Sequence, residues 1–139
     1  MIAVCLGLVA FALMAVGLVS DTPVRHLIQL GPVVPVLCAS VLRVRWAPPA
    51  ALPLFGFWMF IMGLIWLHLL GIAHFVTGAF SPAEVALTVV IGAAATSGAL
   101  AVIRGRPRAS RVGVGAFVLF ATLQICAMSL SLQPAFARI

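Results

Sequence analysis

The sequence contains no lysine, no tyrosine and no asparagine, and its 139 residues include only two acidic side chains, Asp21 and Glu84. Charged residues make up 7% of the chain, where a soluble domain carries about a quarter, so a solvated surface of ordinary composition is excluded. The catalytic repertoire is equally thin. Two carboxylates set far apart in sequence provide no acid/base pair, no serine occupies a G-x-S-x-G elbow, and no glycine-rich loop follows a strand pattern. No CxxC, H-x-x-E or H-x-x-x-H spacing occurs, and Cys5, Cys38 and Cys126 are scattered inside apolar runs, where cysteine behaves as a small hydrophobe. Chemistry on a substrate is therefore not expected.

What the chain has in abundance is apolar sequence. Hydrophobic residues reach 65% and the mean hydropathy is +1.31. All ten charged side chains fall between apolar runs, and several of those runs approach the roughly 20 residues that a bilayer core requires. The fold class expected is all-α: a single polytopic transmembrane helix bundle over residues 1–139, with connections too short to hold a second domain. Five spans emerge. The first is Ile2–Val19, read as a retained span because no basic residue precedes it and no A-x-A pattern closes it. The second, 26–42, is short and carries Pro32 and Pro35, so a re-entrant or interfacial segment, with four spans remaining, is the alternative. Arg43, Arg45, Trp46 and the Pro48-Pro49 pair then lead to a third span, 53–76. Ser81-Pro82-Ala83-Glu84 reads as a capping box opening the fourth, which ends before Arg104, and the fifth covers about 112–132.

The net charge of +6 comes from arginine alone. A nucleic-acid role is excluded because these arginines sit in short loops that flank apolar runs. Their distribution instead orients the chain. With five spans and a cytoplasmic N-terminus, Arg43, Arg45, Arg104, Arg106, Arg108 and Arg111 lie inside while Arg25 and Arg138 lie outside, as the positive-inside rule asks of a bacterial inner-membrane protein. The four-span alternative satisfies the rule as well. The cluster Arg104, Arg106, Arg108 and Arg111 is also placed to meet anionic headgroups at the cytoplasmic face.

Small residues mark where helices approach closely. The stretch 92–99, from Gly92 through Gly98 to Ala99, offers a small-residue face on the fourth span. Gly56, Gly63, Gly71 and Gly78 recur every seven or eight residues, within about an 80° arc at 3.6 residues per turn, and form a candidate packing groove on the third span. The simplest role for both is to hold this bundle together.

Histidine is the one side chain with ligand chemistry. Asp21, His26, His74 and Glu84 gather near the outer surface in the five-span topology, a constellation open to a divalent metal or to haem held axially by His26 and His74. Each member also has a structural explanation: a four-apart ion pair of Asp21 with Arg25, a cap for Glu84, a headgroup site for His26 and an inter-helix hydrogen bond for His74. No cofactor is the expectation. His68, deeper in the third span, lies at about the depth of Gln124, and a hydrogen bond between the two is expected. The reading that follows is a non-catalytic subunit or assembly factor of a larger inner-membrane complex, in contact with lipids and other membrane subunits. The alternative is a transport or binding protein with polar sites on the inner faces of its helices.

Overall fold

The computed structural model describes residues 1–73, 80–105 and 110–135. Among the described residues six helices follow one another, α1 (Ile2–Val19), α2 (Pro23–Leu30), α3 (Val33–Val41), α4 (Ala47–Leu69), α5 (Pro82–Arg104) and α6 (Arg111–Ser131), and there is no strand. The protein is an all-helical bundle in which α1, α4, α5 and α6 are each long and apolar enough to cross a membrane. The α2–α3 pair passes the same test as one segment bent by 51°.

Local chemistry accounts for the boundaries. At Ser81 the side chain accepts from Glu84 N (3.3 Å), while Glu84 Oε2 accepts from Ser81 N (2.7 Å), so the capping box forms and α5 starts there. Three helices stop by a left-handed residue just past the last turn, with the next amide reaching back five residues. Asp21 (φ 55°) ends α1 through Thr22 N to Gly17 O, Arg43 (φ 54°) ends α3 through Val44 N to Ala39 O, and Gly71 (φ 70°) ends α4 through Ile72 N to Leu67 O. Gly71 is thus a helix stop and not a packing residue, and α4 ends at Leu69 instead of reaching 76. The same helix begins at Ala47, earlier than 53, because Pro48 and Pro49 occupy the first turn, where backbone N–H groups need no intrahelical partner.

The break between α2 and α3 has an equally direct cause. Pro32 brings no N–H for Ile28 O, and Gly31 N takes that carbonyl at 3.1 Å. Pro35 removes a second donor one turn later.

Helix directions follow from side-chain neighbours. A Cβ at Gly98 would clash with the Phe55 ring and one at Gly92 would meet Met62 at 3.8 Å, so α5 runs antiparallel to α4. Gly113, at the start of α6, lies against Pro49, at the start of α4. The last turns of α1 share a cavity with the first turns of α5. Helices α1, α4 and α6 therefore run one way and α5 the other. Since α1 finishes at the Ser81 end and α4 starts at the opposite end, the bent α2–α3 pair carries the chain across the bundle.

The core is shared by α1 (Leu6, Val9, Leu13), α4 (Leu54, Phe55, Trp58) and α5 (Ile91, Ala95, Val102). Large apolar side chains remain exposed around the whole bundle, among them Phe11, Phe60, Val112 and Val118, as expected where the surrounding solvent is itself apolar. Gly56 and Gly63 are exposed with nothing within 4 Å of an added Cβ. The arc they define on α4 is therefore not the surface on which this chain's own helices pack. The close approach is made by Gly98, and by Gly17, whose Hα face lies against the His26 side chain (3.0 Å to an added Cβ).

Candidate functional site

Helix α2 carries Thr22 at its N-cap and then Arg25, His26 and Gln29, a spacing of three, four and seven that places all four on one face. That face is turned inward. It forms one wall of a cavity of about 670 Å³ in the half of the bundle at the Ser81 end. Val16 of α1 and its C-cap Ser20, Glu84 and Thr88 of α5, and Met128 of α6 contribute further wall. Apolar side chains complete it, chiefly Leu13, Trp58, Ile61, Ile65 and Ile91. The volume lies within the range of roughly 300–1,000 Å³ typical of small-molecule sites.

The polar groups of the wall are held in fixed roles. His26 Nδ1 donates to Thr22 O at 3.0 Å, so Nδ1 carries a hydrogen and the ring is pinned to its own helix against Gly17. Ser20 Oγ donates to Val16 O (2.7 Å) and meets Thr22 Oγ1 at 2.8 Å, closing the turn between α1 and α2. Gln29 Nε2 donates to Ser131 Oγ (2.9 Å) and to Met128 Sδ (3.4 Å), which ties α2 to the end of α6. Thr88 Oγ1 donates to Val85 O (2.7 Å). Glu84 Oε2 receives both the amide and the hydroxyl of Ser81.

Among the described residues of this wall two buried atoms are left without a partner, Arg25 Nε and Trp58 Nε1. Both are hydrogen-bond donors. Trp58 is only 2% exposed, and Arg25 is half-buried. Asp21, four residues before Arg25, is no counter-ion: it sits exposed in the left-handed turn before α2 begins, so no shared helix face brings the two together.

The other residues singled out in the sequence are distributed as follows. His26 and Glu84 line the same cavity, whereas His74 and Gly78 lie outside the described residues. Among the described residues no three of His, Cys, Asp and Glu converge on a point fit for a metal ion. Gln124 does not bond His68; it is fully buried and its Nε2 donates to Gln29 O at 3.5 Å, while His68 packs near the Phe80 ring at 6.1 Å. Arg104 and Arg111 are exposed at the end opposite the cavity, with Arg43 and Arg45, whereas Arg106 and Arg108 lie outside the described residues. Trp46 stacks on Phe120 at 5.7 Å. Cys5 is buried and Cys38 and Cys126 are exposed, all as free thiols.

Gln29, Trp58 and Thr88 were not singled out by sequence reasoning, and Arg25 entered it only as an outer arginine and a partner for Asp21. The polar stripe on α2 was the available signal for two of them: in helical phase Arg25, His26 and Gln29 coincide, but the apolar run from 27 hides the pattern. Comparison with protein-family models, with curated proteins and with solved structures finds no match for this chain.

Proposed function

We propose that this chain is a non-catalytic, multi-pass protein of the bacterial inner membrane that binds a small molecule in the cavity beside α2. The observation that carries this reading is the pairing of an apolar, ligand-sized cavity with two buried donors, on Arg25 and Trp58, that the protein itself leaves unused. Unpaired buried polar groups cost about 1–3 kcal/mol each, more when charged, and a ligand that accepts from them removes the cost. An ionisable side chain inside a membrane bundle points the same way. The arginines at the far end, read by the positive-inside rule, orient the cavity toward the outer face and leave Arg104 and Arg111 to meet anionic headgroups, each contributing about 1 kcal/mol.

Membership of a larger complex is a second reading, favoured by one observation. Gly56 and Gly63 present an exposed small-residue strip on α4 with open space beside it, the surface on which a helix of another subunit can approach closely. The two readings are compatible, since a binding protein can also be a subunit.

Gentle purification followed by mass spectrometry of the organic extract and of co-purifying chains tests both. A small molecule that follows the wild-type protein and is lost from Ile61→Trp, which fills the cavity, supports the binding role. Loss of partner chains in Gly56→Leu/Gly63→Leu supports the subunit role. An extract that does not distinguish wild type from Ile61→Trp contradicts the binding role.

A further inference from the structure

Resting on that binding role, we propose that the ligand is an amphipathic anion, an acid group on an apolar chain or ring, with the acid seated at Arg25. The assignment comes from which polar groups of the wall are already used. Glu84 supplies the one negative charge of the wall, and it is compensated: its carboxylate accepts from Ser81 N and Oγ and sits at the positive end of the α5 dipole. His26 Nδ1–H, the Gln29 amide N–H groups and the Thr88 hydroxyl all donate within the protein.

Arg25 has no such complement. Its guanidinium meets no carboxylate among the described residues, and its Nε is buried unpaired. A partly buried cation needs an anion or acceptor, and the planar guanidinium fork suits a carboxylate or phosphate. The second unused buried group, the Trp58 indole N–H, can only donate. Among the described residues of the wall, the two buried atoms left without a partner are therefore both donors, which favours an acceptor-rich head over an ammonium. Leu13, Ile61, Ile65 and Ile91 provide the apolar surface for the rest of the molecule. A free acid and the acid group of an anionic lipid share this chemistry.

The test uses the full chain in phosphatidylcholine nanodiscs, with Trp46→Phe and Trp66→Phe leaving Trp58 as the sole indole. Trp58 emission is titrated with bromododecanoate, bromododecanol and bromododecyltrimethylammonium, whose bromine quenches on contact. A version retaining only Trp66, which lies on the exposed part of α4, subtracts simple partition into the bilayer. The expected result is saturable quenching by the acid at about tenfold higher affinity than by the alcohol or the ammonium. Arg25→Gln removes that preference and Arg25→Lys keeps part of it. If Arg25→Gln does not fold, the comparison of the three head groups on unsubstituted Arg25 still decides.

Equal quenching by all three overturns the anion assignment while the cavity remains a binding site. Absence of saturable quenching by any of them overturns the binding role itself. Replacing part of the phosphatidylcholine by phosphatidylglycerol then separates the two sources: competition with the acid identifies a lipid, and unchanged affinity identifies a free acid, either one consistent with an anionic head at Arg25.

Discussion

Gln29 Nε2 donates to Ser131 Oγ at 2.9 Å, joining the first half of the broken α2–α3 segment to the last residue of α6 across 102 positions of sequence. Both residues are buried, and Met128 Sδ and the Gln124 side chain complete the contact, the latter donating to the Gln29 carbonyl next to the break. A helix interrupted by proline exposes carbonyls that lipid cannot satisfy, and neighbouring side chains must do so. This polar joint holds the α2 wall of the cavity in place.

Ser131→Ala leaves the Gln29 amide with only a weak sulfur acceptor. Unfolding measured by steric trapping in bicelles is expected to show a loss of about 1–3 kcal/mol. An unchanged value removes the joint from the set of interactions that stabilise the bundle.

Gly98 faces the Phe55 ring without room for a side chain, whereas Gly92 has ordinary contact distance to Met62. Gly98→Leu is expected to cost more than the roughly 1–3 kcal/mol typical of overpacking, with Gly92→Ala and Leu100→Ala near neutral. Melting points that rank Gly98→Leu with Leu100→Ala would show that α4 and α5 do not meet there.

Gly71 holds φ at 70° past the end of α4, a conformation that costs a residue with a Cβ about 1 kcal/mol or more. Gly71→Ala is expected to lower the thermal midpoint, while Gly56→Ala, on an exposed helical face, is expected to raise it slightly through helix propensity. The reverse order would place Gly71 in a regular helix.

The path of α2–α3 across the bundle has a chemical test. In a background lacking Cys5, Cys38 and Cys126, Asp21→Cys and Leu42→Cys flank the segment and are both exposed. A membrane-impermeant maleimide is expected to label them from opposite sides, Asp21→Cys from the periplasm. Labelling of both from one side would make the segment re-entrant.

How much of this was legible in the sequence depended on whether the deciding interaction was local. The limits of α1 and the start of α5 were readable because an unbroken apolar run and a capping box act within a few residues. The limits of α4 were misjudged at both ends for local reasons that were weighted wrongly: prolines in a first turn are permissive, and Gly71 stops a helix instead of packing one. An interruption by Pro32 and Pro35 was visible, but the direction of the segment across the bundle required knowing where α1 ends and α4 begins. Of the site, His26 and Glu84 were marked as chemically interesting, whereas the donors of Arg25 and Trp58 acquire meaning only through what fails to meet them in three dimensions. Distance in sequence hid the Gln29–Ser131 contact, and similar apparent depth made His68 the expected partner of Gln124.

A density map of the protein in nanodiscs, carried on a rigid antibody fragment to give it size, tests the central claim that the cavity beside α2 is a binding site. The expected map shows non-protein density running from Arg25 and Trp58 along Ile61 and Ile65, absent in Ile61→Trp. A cavity closed by its own side chains, with Arg25 paired to a carboxylate of this chain, would contradict it.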